Sequence, residues 1–239
     1  MRQNTQIISI EGNIGSGKST LVNYLTNEYK NNTNILFLQE PVDIWNEIQD
    51  EEGITILEKF YNDTNKYAFQ FQMMAYISRL SILKKCLKQN YKYIITERCL
   101  YTDANVFAKM LFDDKKISKI EYTIYKKWFD EFINEISISK FIYIKTNPEI
   151  AYQRIISRNR IGEKISLEYL IKCNEYHENW ISSLITNNNL VLIIDGNNNF
   201  NNILSILLYK IKDFIIPENN NKDDDISLFS QIYDYSIMQ

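Results

Sequence analysis

Five short runs of nearly unbroken apolar, β-branched and aromatic residues punctuate the chain: IISIEG at 7–12, ILFLQE at 35–40, YIITE at 93–97, FIYIKT at 141–146 and LVLIID at 190–195. A strand with one face in water alternates apolar and polar positions. Continuous runs of this kind fit strands covered on both faces. The intervals between them are long enough for helices, so crossover connections and parallel pairing follow. Helical patterning free of Gly and Pro runs from Asp63 to Gln89, from Glu121 to Glu135 and from Ser166 to Leu184. The pattern predicts an α/β fold, a five-stranded parallel sheet flanked by helices. Beyond Pro217 the composition shifts to the solvated run ENNNKDDD, which divides the chain into one domain over 1–216 and an acidic, Asn-rich linker and tail over 217–239.

Of the 239 residues 45% are hydrophobic and 24% charged, which suits a globular protein and excludes disorder over most of the chain. Twenty-seven basic against 30 acidic side chains leave a formal charge of -3, so nothing global attracts duplex nucleic acid or an anionic membrane. Any bound phosphate must be held locally. There is no run of eighteen apolar residues, and the stretch MRQNTQIISIEG lacks the long apolar block and small-residue cleavage site of a secretory signal, so the expectation is a soluble, cytoplasmic protein. Cys86, Cys99 and Cys173 have no paired spacing and His177 is the single histidine, so neither a disulfide framework nor a Cys/His zinc site can be assembled. His177 is read as structural. Of the 6 glycines, three fall between Gly12 and Gly17.

That cluster is GNIGSGKS, which satisfies G-x-x-x-x-G-K-[ST] directly after the first strand and before the helical LVNYLTNEY. Gly12, Asn13, Ile14, Gly15, Ser16 and Gly17 can turn successive N–H groups toward phosphates at a helix N-terminus. Lys18 would reach the outer phosphates, and Ser19 would ligate Mg²⁺, with Thr20 following in the same turn. Two strings resembling switch-GTPase signatures, Asp50 to Gly53 and Asn221 to Asp224, stand in the wrong places relative to the strands and are read as coincidence.

Ligands of open parallel sheets bind outside the carboxyl ends of the strands. Two runs end there in glutamate, Glu40 in EPV and Glu97 in ERC, the latter next to Arg98. Together they supply a carboxylate to take a proton, an oxygen ligand for Mg²⁺ and a cation for developing charge, although a salt bridge at the sheet edge is the plainer use. Arg154 and Arg158 share a helical face, while Arg160 and Gly162 suggest a loop; the set suits an arginine lid over a triphosphate, or simply a solvated basic helix end.

The order of IEGNIGSGKST, QEPVDIW, YAFQFQMMAYISR, ERCLYTDANVFA and RIISRNR followed by Glu163 resembles the deoxynucleoside kinase family, from Ile7 to about Phe214. The resemblance implies a P-loop kinase fold, ATP as phosphate donor, Mg²⁺, a deoxynucleoside acceptor and a homodimer built through helices beside the sheet. It implies that Glu40 and Arg98 contact the 5′-hydroxyl, with Glu97 either proton acceptor or Mg²⁺ ligand; Glu40 is the preferred base. Tyr61 and Glu163 match the pair that holds the sugar 3′-hydroxyl, with the spacing around Glu163 one residue short of the pattern. Gln72 would bond the base edge and Phe71 would stack, with Trp45 and Phe107 completing an aromatic box; without the resemblance these rings read as ordinary core. Asn198, Asn199 and Phe200 match the loop over the donor's adenine. Arg79 and Asp103, with Ala75, match the deoxycytidine and deoxyguanosine branch. A buried Asp103 suits an exocyclic amino group and opposes the carbonyl that thymine presents, whereas an Arg79–Asp103 salt bridge indifferent to the base is the alternative. Two other functions share the fold and loop, a thymidylate-kinase-like monophosphate kinase and a non-catalytic nucleotide-binding regulator.

Overall fold

In a computed structural model that describes residues 5–160, 162–198 and 200–216, the five runs form one sheet. Strands β1 (Gln6–Glu11), β2 (Ile35–Leu38), β3 (Tyr93–Glu97), β4 (Ile138–Lys145) and β5 (Leu190–Asp195) lie in the order β2-β3-β1-β4-β5. Every pairing is parallel. The chain leaves central β1 for the β2 edge, returns to β3 and then crosses to β4, so a crevice opens where the carboxyl ends of β1 and β3 diverge.

Both sheet faces are covered, as the continuous apolar runs require. Ile8 and Ile10 of β1 pack with Leu21, Val22 and Leu25 of α1 (Lys18–Glu28) and with Leu207, Ile211 and Ile215 of α10 (Phe200–Ile215). On the opposite face Ile7 and Ile94 meet Tyr76, Leu80 and Leu83 of α4 (Thr64–Cys86) and Tyr125 and Phe129 of α7 (Lys119–Ile133). Phe141 and Tyr143 join that side with Trp180 and Ile181 of α9 (Leu167–Thr186). The remaining helical segments are α2 (Val42–Asn46), α3 (Ile56–Asn62), α8 (Pro148–Arg158) and, after β3, α5 (Leu100–Thr102), a π-helical turn over Asp103–Ala108 and α6 (Lys109–Asp113).

The expected boundaries shift for identifiable reasons. β2 stops at Leu38 because Pro41 lacks a donor and restricts Glu40 before it, which leaves Glu40 in the loop beyond the strand. β4 starts at Ile138, which pairs with Ile7 before a register shift between Ile7 and Ile8. Asp63 and Ser166 are N-caps, their side chains accepting from the N–H groups of Lys66 and Tyr169 at 3.1 and 3.2 Å. α7 begins before Glu121 because Ser118 and Glu121 form a capping box. Asn159, with φ of 44°, ends α8 ahead of the arginine loop. Among the described residues no helix is long and apolar enough to cross a membrane. Asn199 and the tail over 217–239 lie outside the described residues.

Candidate active site

The loop between β1 and α1 is shaped by close approach. A Cβ at Gly15, whose φ is +79°, would come within 2.5 Å of the Ala151 carbonyl oxygen, so only glycine lets the loop lie against α8. Ile14, Gly15, Gly17, Lys18, Ser19 and Thr20 line a cavity of about 870 Å³, whereas Gly12, Asn13 and Ser16 do not. Asn13 instead donates to the Leu170 carbonyl at 2.8 Å and accepts from the Ile14 N–H, which fastens the loop to α9. Lys18 is buried and donates to the Asn13 carbonyl at 2.7 Å. Burial, and then repulsion from Arg98, bring its ammonium down to about 7 despite the nearby Glu97, Glu40 and Glu11. The Ser19 hydroxyl donates to the Glu97 carboxylate at 2.8 Å.

Across the crevice Arg98 donates to Glu40 at 2.6 Å. Arg98 holds a left-handed backbone, φ 60°, at a cost of about 1–2 kcal/mol for a residue with a Cβ. Its guanidinium carbon lies 5.0 Å from the Phe107 ring centre. Arg79, from the middle of α4, joins three parts of the site: its Nε donates to Asp103 at 2.9 Å, its Nη1 to the Glu97 carbonyl at 2.7 Å and its Nη2 to Glu40 at 3.3 Å. Burial pushes Glu40 upward, but Arg98, Arg79 and Lys18 outweigh it and hold the carboxyl down at about 2. Asp103, 2% exposed, is raised by burial against the pull of Arg79. The guanidinium itself is raised, because Asp103 and Glu40 overcome its own burial penalty.

The far end of the cavity is aromatic. Trp45 meets Phe71 edge-on at 5.3 Å, with its indole N–H bonded to Ser78 at 3.0 Å. Phe71 in turn stacks on Phe60 at 4.7 Å. Gln72 is 3% exposed and its Oε1 has no partner, so this wall carries an acceptor. Tyr61 also lines the cavity, its phenol pushed up by burial and then by the charge of Glu163. Glu163 pairs with Arg158, the Arg158 Nε donating at 2.9 Å. Arg158 and Arg160 line the same cavity as Arg154, whose guanidinium donates to the carbonyls of Ser16 at 3.3 Å and Asn198 at 3.4 Å. Asn198 thus stands beside the phosphate loop without lining the cavity, and Phe200 opens α10. Leu57, Phe60 and Tyr169 also line the wall and were not anticipated. Leu57, Phe60 and Tyr61 are spaced three and four apart, a helical signal in a segment too short to have been read as a helix. Nothing in the sequence sets Tyr169 apart on its helix.

His177 is fully buried, with Nδ1 against the Cys173 carbonyl at 2.8 Å, and burial drives its pKa down to about 3. It remains a neutral part of the core.

A parallel P-loop sheet with strand-end carboxylates facing the loop and an aromatic slot beside them defines a small-molecule phosphotransferase. The deoxynucleoside kinase family model matches residues 8–215. The chain is 37% identical over 220 residues to a probable deoxycytidine kinase of fowlpox virus, covering 87% of both chains. It is 30% identical to the mitochondrial deoxyguanosine kinase of Xenopus laevis, with 91% and 85% covered, and 27% identical to the human mitochondrial thymidine kinase 2, with 91% and 81% covered. The chain belongs to the deoxynucleoside kinase family. It is an ATP-dependent phosphotransferase of nucleotide salvage.

Proposed function

We propose that the enzyme transfers the γ-phosphate of ATP to the 5′-hydroxyl of deoxycytidine or a purine deoxynucleoside in preference to thymidine. The observation that carries this reading is the single guanidinium of Arg79, which touches Asp103 at the base end and Glu40 at the reacting end of one cavity.

Glu40 is assigned as the base. It lies on the acceptor side, held by Arg98, and takes the 5′-hydroxyl proton as that oxygen bonds to the γ-phosphorus and the bond to the leaving ADP oxygen breaks. Glu97 and Ser19, hydrogen-bonded oxygen donors beside the phosphate loop, suit Mg²⁺, which usually takes one or two protein oxygens and completes its shell with phosphates and water. When bound it would offset charge on the transferring group. Lys18, Arg154, Arg158 and Arg160 face the triphosphate and exclude water from it. Phe71, Trp45 and Phe107 enclose the base, the free Gln72 acceptor meets a donor on its edge, and Tyr61 with Glu163 holds the 3′-hydroxyl. Asn198, Asn199 and Phe200 are assigned to the donor's adenine. A base presenting a carbonyl to Asp103 would meet an acceptor with an acceptor, a mismatch worth ~10⁴ or more in such polar sites.

We also assign a homodimer through the helices beside the sheet. Ile120, Ile124 and Trp128 recur every four residues along α7 and are 75%, 42% and 46% exposed; Ile77 is 41% exposed on neighbouring α4.

Phosphate transfer from Mg·ATP to dC, dA, dG, dT and dTMP tests the reading. Turnover of dC or a purine nucleoside is expected, shifted toward dT in an Arg79→Met/Asp103→Ala double variant. Turnover of dT alone overturns the base assignment, and activity only on dTMP would make the enzyme a monophosphate kinase.

A further inference from the structure

Glu11 is the last residue of β1, fully buried, and none of the ion pairs among the described residues includes it. Its carboxylate accepts two hydroxyls instead, Ser9 at 2.5 Å and Thr102 at 2.7 Å. A carboxylate so placed is costly to bury and contributes less to stability than an apolar residue of its size. Its partner shows what it does. The Thr102 hydroxyl spends its proton on Glu11 and uses its lone pairs to accept the Cys99 N–H at 3.3 Å.

Cys99 follows Arg98, the left-handed residue beside Glu40. The polar backbone groups around that residue are all held: the Arg98 N–H by the Ile10 carbonyl at 2.9 Å, the Arg98 carbonyl by the Thr96 hydroxyl at 2.9 Å, and the next N–H by Thr102. Thr102 also precedes Asp103, the first residue of the π-helical turn and the partner of Arg79. Glu11 itself precedes Gly12, where the phosphate loop begins. The clamp therefore joins the start of the phosphate loop to the segment that carries both Arg98 and Asp103, through a contact 91 residues apart in sequence.

We propose that Glu11 and Thr102 are positioning residues, a carboxylate–hydroxyl clamp that holds the Arg98 backbone in its left-handed form and so presents the guanidinium to Glu40 and the reacting hydroxyl. The clamp rests on the kinase reading above. It touches neither substrate. Its effect falls on turnover and leaves donor binding alone, which separates it from a general contribution to folding.

The test compares wild type with Thr102→Val, Thr102→Ala and Thr102→Ser, reading kcat, the KM for ATP and thermal melting. Removing the hydroxyl is expected to lower kcat at least tenfold with the KM for ATP unchanged within twofold, and Ser is expected to restore kcat to within about threefold of wild type. A folded Val or Ala variant with kcat within threefold of wild type overturns the clamp. So does a Ser variant as impaired as Val, or failure of both Val and Ala to fold, since the hydroxyl would then serve stability. A wild-type chain that phosphorylates no nucleoside overturns the kinase reading itself, a different result from any of these.

Discussion

Glu40 carries opposite charge on two sides, and its behaviour in acid follows. The carboxyl is held at about 2 in the folded protein against an ordinary 4.5, so the unfolded chain takes up a proton that the folded one refuses across that interval. The stability it contributes is complete above about pH 4.5 and is lost as pH falls through 2. Urea unfolding of wild type and Glu40→Gln at pH 6 and pH 3 should show the gap between them narrowing in acid; an equal gap at both would contradict the pairing. The same variant should lower kcat by about 10² or more, because an amide cannot take the hydroxyl proton. Lys18 gives the opposite sign. Its ammonium, brought down to about 7, must be protonated to meet phosphate, so Mg·ATP affinity should weaken above pH 7 by up to tenfold per unit. Calorimetric titration at pH 6.5, 7.5 and 8.5 checks this, and a flat profile would exclude it.

At the scale of elements, the strands are readable because burial on both faces removes polar positions from them, and the long helices because their caps coincide with changes in pattern. The capping box of α7 gives a clean test: Ser118→Ala should cost about 1 kcal/mol, seen as a lower melting temperature with kcat unchanged. What escaped reading has local causes. Ser139 and Lys140 disguise the start of β4, and Lys140 is there to donate to the Phe214 carbonyl at 2.6 Å, at the end of α10. The seven residues of α3 offer too few turns for a period to show. The π-helical turn has no signature in composition, yet it sets the direction of Asp103. The phosphate loop and both glutamates were legible because each stands at or just beyond the carboxyl end of an apolar run. Contacts such as Asn13 to Leu170, 157 residues apart, were not, since they exist only once the layers close.

On the scale of the whole molecule, the proposed homodimer would cover the exposed Ile120, Ile124 and Trp128 of α7 with the same face of a second copy. Light scattering should give twice the chain mass, and Trp128→Glu should yield a monomer; a monomeric wild type would leave the stripe unexplained by self-association. The junction at Arg79 has a consequence for how such an enzyme changes its taste in bases. One guanidinium bonds Asp103, the Glu97 carbonyl and Glu40, so on the proposed assignment a change at the arginine alters preference and turnover together. Replacing Arg79 alone strands the buried Asp103 charge, at a cost of about 3–5 kcal/mol, while Glu40 keeps Arg98. Replacing Asp103 alone would remove the proposed base acceptor while Arg79 and Arg98 both keep their contacts to Glu40. The less costly route to a new substrate therefore begins at the aspartate, because losing the arginine first leaves the Asp103 charge buried without its partner.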